Sequence, residues 1–125
     1  MCQKLGIKND LVPRIATAFA GGMGRNGEVC GAVVGAVMCI GVKHGRDEVG
    51  QPEGKAQELA AEFLHAFRGE MGTINCRELT GFDLSTPDGL KAFRSSDVPM
   101  RVCLRAVGFA YDETLKLLCP LNPTG

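Results

Sequence analysis

The sequence contains no tryptophan, one tyrosine and no run of basic residues, and its 14 Lys and Arg are matched by 14 Asp and Glu. Nucleic-acid binding needs a basic footprint, so the expectation is no nucleic-acid partner. No Cys-x-x-Cys pair occurs anywhere, which removes the thioredoxin-type motif and the zinc ribbon. The start, Met1-Cys2-Gln3-Lys4-Leu5-Gly6, lacks the basic then apolar pattern of a signal peptide, so a cytoplasmic location is the default expectation. The longest apolar run, Val29 to Val42, is shorter than the roughly 20 residues of a membrane helix, and no membrane insertion is expected. Internal repeats and low-complexity segments are absent. The best strand candidate, Ile15 to Phe19, does not hold a convincing alternation.

What the chain does have is glycine, cysteine and helical periodicity. Hydrophobic residues make up 45 % of 125 residues, enough for one globular domain over 1–125. Asn9 or Asp10 can cap a first helix with Pro13 in its first turn, ending at Gly21-Gly22. Asn26 is positioned to cap a central helix over about 27–43, apolar nearly all round and therefore buried on most sides. Lys43, His44 and Gly45 suit its end. Within it, the Gly31 and Gly35 spacing suits close approach of another backbone. The clearest period is over about 53–70. There Ala56, Leu59, Ala60, Phe63, Leu64 and Phe67 line one face, opposite Lys55, Glu58, Glu62 and Arg68. Asn75 with Glu78 reads as the capping box of a short helix. A turn of helix is available near 87–94. A last helix over about 98–118 ends at Cys119-Pro120, with a tail over 119–125 read as mobile. The expected fold class is all-α, a bundle of about five helices around the central one.

Gly22-x-Gly24-x-x-Gly27 matches the letter of a dinucleotide fingerprint. That motif needs a strand before it and an acidic residue ending a second strand, and neither is found. The two histidines, His44 and His65, fit no zinc spacing with the cysteines. The cysteines carry more. Cys30, Cys76 and Cys103 fall near three expected helix starts, where free N–H groups and the helix dipole favour a thiolate. Such sulfurs suit nucleophilic chemistry and also iron or zinc ligation. Cysteine is equally a common small core residue, but three so placed favour function. Cys39 is nine residues beyond Cys30, roughly the opposite helical face, and reads as core. Cys2 and Cys119 carry no pattern of their own.

In this order the residues resemble the redox-active proteins named for a C-GCAxxG-C-C cysteine pattern. The lead Phe19-Ala20-Gly21-Gly22-Met23-Gly24-Arg25 is similar to that family's glycine-rich segment. Cys30-Gly31-Ala32-Val33-Val34-Gly35 is similar to its CGAxxG motif, and Gly41-Val42-Lys43-His44-Gly45 to the end of that helix. Phe63 and Phe67 with Gly72-Thr73-Ile74-Asn75-Cys76-Arg77-Glu78-Leu79 resemble its third block, and Cys103 its last cysteine. The resemblance implies redox activity by cysteine. It also implies a first family cysteine in a helix ahead of this chain's Met1, so that Cys2 sits later than that position and is at best an imperfect substitute.

The functional expectation is a small redox protein working through Cys30, Cys76 and Cys103, a thiol-dependent oxidoreductase if it is an enzyme. In one reading a thiolate attacks a disulfide or oxidant and a second thiol resolves it. In a second, the cysteines hold an iron–sulfur cluster or another metal and pass electrons, with Cys2, another group or a second copy of the chain as fourth ligand. A third reading is a non-catalytic helical interaction module with buried thiols. The redox partner and the oligomeric state, including a homo-oligomer, stay open.

Overall fold

In the computed structural model, which describes residues 1–120, six right-handed α-helices follow one another: α1 Leu11–Ala16, α2 Gly31–His44, α3 Gly54–Met71, α4 Cys76–Thr80, α5 Pro87–Arg94 and α6 Leu104–Leu118. No strand occurs among the described residues, and the only β pairing there is an isolated antiparallel bridge between Val29 and Asn75. The all-α expectation is met. No helix is long and apolar enough to cross a membrane among these residues. The part of the expected mobile tail at 121–125 lies outside the described residues.

The frame of the molecule is α2, α3 and α6, packed against one another. Helix α3 follows its sequence period closely. Leu59, Phe63 and Phe67, spaced four apart, are buried, while Lys55, Glu58, Glu62 and Arg68 are exposed. It ends at Gly72, whose φ of 88° lets its N–H bond the Arg68 carbonyl. The Phe67 ring lies 5.9 Å from Phe63 and meets Phe109 of α6 edge-on at 6.0 Å. Helix α2 presents Val33, Ala36, Cys39 and Ile40 to the same core, and its remaining residues up to Ile40 are at least half-buried, as an all-round apolar helix must be. Burying each large side chain contributes about 1.5–3 kcal/mol, so the three helices hold one another in place. At their far end the Lys43 ammonium donates to the Leu118 carbonyl. This satisfies one of the free carbonyls in the last turn of α6.

Two boundaries depart from the sequence reading, and one expected turn lies where it was expected but is a longer helix. The central helix begins at Gly31 rather than near 27, with Cys30 itself at the N-cap. Asn26 does not cap it, because its side-chain amide donates instead to the Met23 and Gly24 carbonyls. The physical reason is that Glu28 to Cys30 is pulled into extended pairing with Ile74 to Cys76. The last helix is entered through a π-turn, Pro99–Cys103, where the Leu104 N–H bonds the Pro99 carbonyl. The segment at 87–94 is a full helix of 8 residues, with Thr86 Oγ1 accepting from the Gly89 N–H at 3.0 Å and Pro87 at the first position. The Asn75 cap is as expected, its Oδ1 accepting from the Glu78 N–H at 2.9 Å.

Between α1 and α2 the backbone does something the composition only hinted at. From Gly21 to Arg25 five successive residues have positive φ, between 61° and 68°. The chain makes a left-handed helical turn, closed by bonds that reach six residues back: Gly24 N–H to Ala18, Gly27 N–H to Gly21 and Glu28 N–H to Gly22. Three of the five residues are glycine, which adopts this region without a steric penalty. Met23 and Arg25 are not.

Candidate functional site

The left-handed turn delivers the chain into the bridge that positions the first two candidate cysteines. The Cys30 N–H donates to the Ile74 carbonyl at 2.8 Å, the Cys76 N–H to the Glu28 carbonyl at 2.6 Å, and the Arg77 N–H to the Gly27 carbonyl at 3.2 Å. Side chains alternate across a bridge, so Cys30 and Cys76, each one residue past the paired Val29 and Asn75, project to the same side. The glycines permit this proximity. A Cβ on Gly22 would lie 2.6 Å from the Cys76 Cβ and 2.7 Å from the Glu28 nitrogen. One on Gly27 would lie 3.0 Å from the Arg77 Cβ, and one on Gly31 would lie 3.0 Å from the Phe19 carbonyl oxygen. The glycine-rich loop is therefore a clasp around residues 74–77 and not a phosphate cradle. Of the two helical glycines, Gly31 has the expected close backbone neighbour, and Gly35 has nothing within 4 Å.

The third cysteine arrives from the other side. Cys103 closes the π-turn, which packs against α4, the helix that begins with Cys76. Cys30, Cys76 and Cys103, widely separated in sequence, line one cavity of about 710 Å³. Its remaining wall is almost entirely apolar, including Phe19, Leu84, Phe93 and Val107, and no Lys, Arg, His, Asp or Glu reaches it. Thr80 and Thr114 are the buried polar residues on its wall, and both are satisfied locally. Thr80 Oγ1 accepts from the Phe82 N–H, and Thr114 Oγ1 donates to the Ala110 carbonyl at 2.6 Å.

The electrostatics reverse one expectation. Burial pushes the Cys76 thiol up from 9.0 to about 11, helped by the nearby Cys30 and Cys103 sulfurs. The Cys103 thiol is likewise raised, by burial first and by Cys30 second. The helix-start argument predicted stabilised thiolates at both positions. It fails because α4 has only 5 residues and Cys103 lies inside a continuous turn into α6, so neither thiol faces the free N–H groups of a long helix. Cys30 alone stands at the start of a long helix, at the N-cap of the 14-residue α2, and is half-buried where Cys76 is buried.

Cys39 is buried in the core as expected, but it also lines the cavity that Cys30 lines. The Cys39 sulfur lies 3.9 Å from that of Cys2, and Cys2 is also on the cavity wall. Nothing in the local pattern of residues 1–6 could have announced that contact. Cys119 is exposed at the end of α6, and His65 is exposed on α3. Among the described residues no three His, Cys, Asp or Glu side chains are gathered to hold a metal ion. Cys30, Cys76 and Cys103 are thus not gathered as a metal-binding group.

The fold and the cavity together define a small helical protein with a clustered set of unpaired thiols. The family model described as "Putative redox-active protein (C_GCAxxG_C_C)" matches residues 1–117, nearly the whole chain, and the chain belongs to that family. No curated protein and no solved structure matches it.

Proposed function

We propose that the protein is a two-electron thiol reductant working through Cys30, Cys76 and Cys103. The observation that carries this reading is their convergence on one cavity lined by no charged side chain, near enough that charge on one sulfur raises the pKa of another. Membership of a redox family supports it. Cys30, at the start of a long helix and more accessible than Cys76, takes the first attack. Its thiolate displaces one half of a disulfide R–S–S–R, forming a mixed disulfide and releasing R–S⁻. Cys76 or Cys103 then gives up its proton and attacks the Cys30 sulfur. This closes an internal disulfide and releases the second R–S⁻. Two electrons pass to R–S–S–R, and the two thiol protons leave with the products or the solvent. A thiol of raised pKa is a poor leaving group, so a disulfide through Cys76 resists reopening. The reduced protein is then the working form, an electron donor.

The test is anaerobic purification followed by an absorption spectrum, metal analysis and disulfide mapping after titration with 2-hydroxyethyl disulfide. The expected result is a colourless protein in which Cys30 becomes linked to Cys76 or Cys103. Stoichiometric iron with visible absorption would overturn thiol chemistry in favour of a cluster. All three cysteines unlinked and metal-free would leave the interaction-module reading instead.

A further inference from the structure

Two thiols on the cavity wall are not used by the chemistry above. The Cys2 and Cys39 sulfurs, 37 residues apart in sequence, lie 3.9 Å apart. Cys39 is fixed in the middle of α2 and buried at 6 % exposure, and Cys2 is half-buried. Cys2 belongs to a compact N-terminal turn. Its carbonyl accepts the Ile7 N–H at 2.9 Å, and the Leu5 N–H bonds the Met1 and Cys2 carbonyls, both at 3.1 Å. Met1, Cys2 and Leu5 pack on the core, while Met1, Cys2 and Gln3 form part of the cavity wall. At 3.9 Å the sulfurs are in van der Waals contact, and forming a bond brings them to about 2.05 Å. No other element intervenes.

We propose that Cys2 and Cys39 form a second reversible dithiol, whose disulfide fastens the N-terminal turn to α2 and fixes one wall of the cavity. The pair stands on its own geometry and does not depend on the chemistry assigned to Cys30, Cys76 and Cys103. The oxidant is a small uncharged disulfide, because no charged side chain lines the cavity and the one charge acting on this wall is the Met1 ammonium, which pulls the Cys39 pKa down. Cys2, the more accessible thiol, loses its proton and attacks one sulfur of R–S–S–R. A Cys2–S–S–R bond forms and R–S⁻ leaves. Cys39 then loses its proton and attacks the Cys2 sulfur, and the second R–S⁻ leaves. The two thiols are oxidised to one disulfide, and R–S–S–R is reduced to two thiols. Burial raises the Cys39 thiol to about 11, with Cys2 adding to the rise. The raised pKa makes the Cys39 attack the slow step of closure, and it makes Cys39 a poor leaving group, so the closed bond is slow to reopen.

The experiment treats the full chain with 2-hydroxyethyl disulfide under nitrogen, quenches in acid with an alkylating agent and maps the linked peptides by mass spectrometry. Exposed Cys119 serves as the internal control that the reagent has reacted. The expected product is a Cys2–Cys39 linked peptide. In Cys39→Ala the expected species is Cys2 trapped as the mixed disulfide with the hydroxyethyl thiol. On linkage, amide hydrogen exchange at Leu5 and Ile7 slows by about tenfold or more as opening of the turn is suppressed. The proposal is overturned if Cys2 and Cys39 are both recovered alkylated while Cys119 is modified, or if Cys2 is found bonded to Cys30, Cys76 or Cys103. Failure here is separable from failure of the proposed function. A Cys2–Cys39 link with Cys30, Cys76 and Cys103 free supports this pair and overturns the other set. The reverse pattern does the opposite.

Discussion

The helical frame and the glycine clasp are held by different physics. In the frame, Phe63, Phe67, Val33 and Ile40 are each within 1 % of full burial, and stability is spread over many apolar contacts. In the clasp, residues 21–30 bury little. Their geometry rests on six positive φ angles, those of Gly21 to Arg25 and of Gly27, and on backbone bonds to residues 74–77. A diffuse apolar core tolerates small local changes. A clasp whose backbone approaches the Cys76 Cβ with no room for a methyl group does not. The part of the molecule that positions two of the three candidate cysteines is therefore the part most exposed to single-atom damage.

The comparison is broken most forcefully from the frame side. Phe67→Ala removes a fully buried ring between α3 and α6 and should cost about 3–5 kcal/mol, read as a lower midpoint in urea denaturation. Below the transition, Cys30 and Cys76 should keep their wild-type relation, since the clasp bonds are untouched. Gly22→Ala attacks from the other side. Its added carbon meets the Cys76 Cβ at 2.6 Å at a φ of 67°, and the expected cost is about 2–4 kcal/mol. The specific signature is local, because relief of the clash moves Cys76 out of its pocket and its alkylation accelerates. Gly81→Ala is the control. Its φ is 76° but nothing lies within 4 Å, so it should show only the backbone penalty of roughly 1 kcal/mol and leave Cys76 unreactive. Equal effects of the two alanines would show that the clasp has no steric role.

A pH series sharpens the same contrast at the thiols. The native Cys76 thiol holds its proton to about 11, against 9.0 for an unperturbed thiol. At pH 8 it carries about a hundredfold less thiolate than a free cysteine, so iodoacetamide should modify it correspondingly slowly. The linked stability has a definite sign. A pKa raised in the folded state contributes stability that is fully present below pH 9 and is lost as pH rises through 11, because the unfolded chain releases that proton first. The loss should be about 2 kcal/mol by pH 11. The difference between wild type and Cys76→Ala isolates it from other alkaline titrations. An identical pH dependence in the two proteins would show that Cys76 is not buried as a protonated thiol.

These expectations also show where the sequence was legible. Helix α3 was placed within a residue at each end, because its Leu59, Phe63 and Phe67 stripe and its Gly72 stop are local signals. The burial of α2 followed from its apolar composition alone. Its start was misplaced by about four residues, because Glu28 to Cys30 answers to partners some 46 residues away. A single bridge is too short to leave an alternating pattern. The three candidate cysteines were found by type and by family resemblance. Their raised thiols were not foreseen, since burial by other segments outweighs whatever a helix start provides. The Cys2–Cys39 contact depends wholly on where the N-terminal turn docks, and residues 1–6 carry no periodicity from which docking could be read.

The smallest expected effect has the opposite sign and tests the clasp by easing it. Met23 and Arg25 sit at φ 61° and 67° among glycines that occupy the same region freely. Both side chains are exposed, so replacing either removes little packing. Each L-residue in left-handed geometry costs about 1–2 kcal/mol, while a new glycine adds unfolded-state entropy worth about 0.5–1 kcal/mol. The balance should favour Met23→Gly by up to about 1 kcal/mol. Arg25→Gly should gain less, because the Arg25 side chain also covers Gly21, where an added Cβ would lie 3.0 Å from the Arg25 Cγ. Denaturation midpoints decide it. Stabilisation by Met23→Gly would show that the left-handed turn is strained and held in place by the bonds of Gly24, Gly27 and Glu28. Clear destabilisation would mean that the turn is not left-handed in solution, and the route that delivers Cys30 to its place beside Cys76 would have to be redrawn.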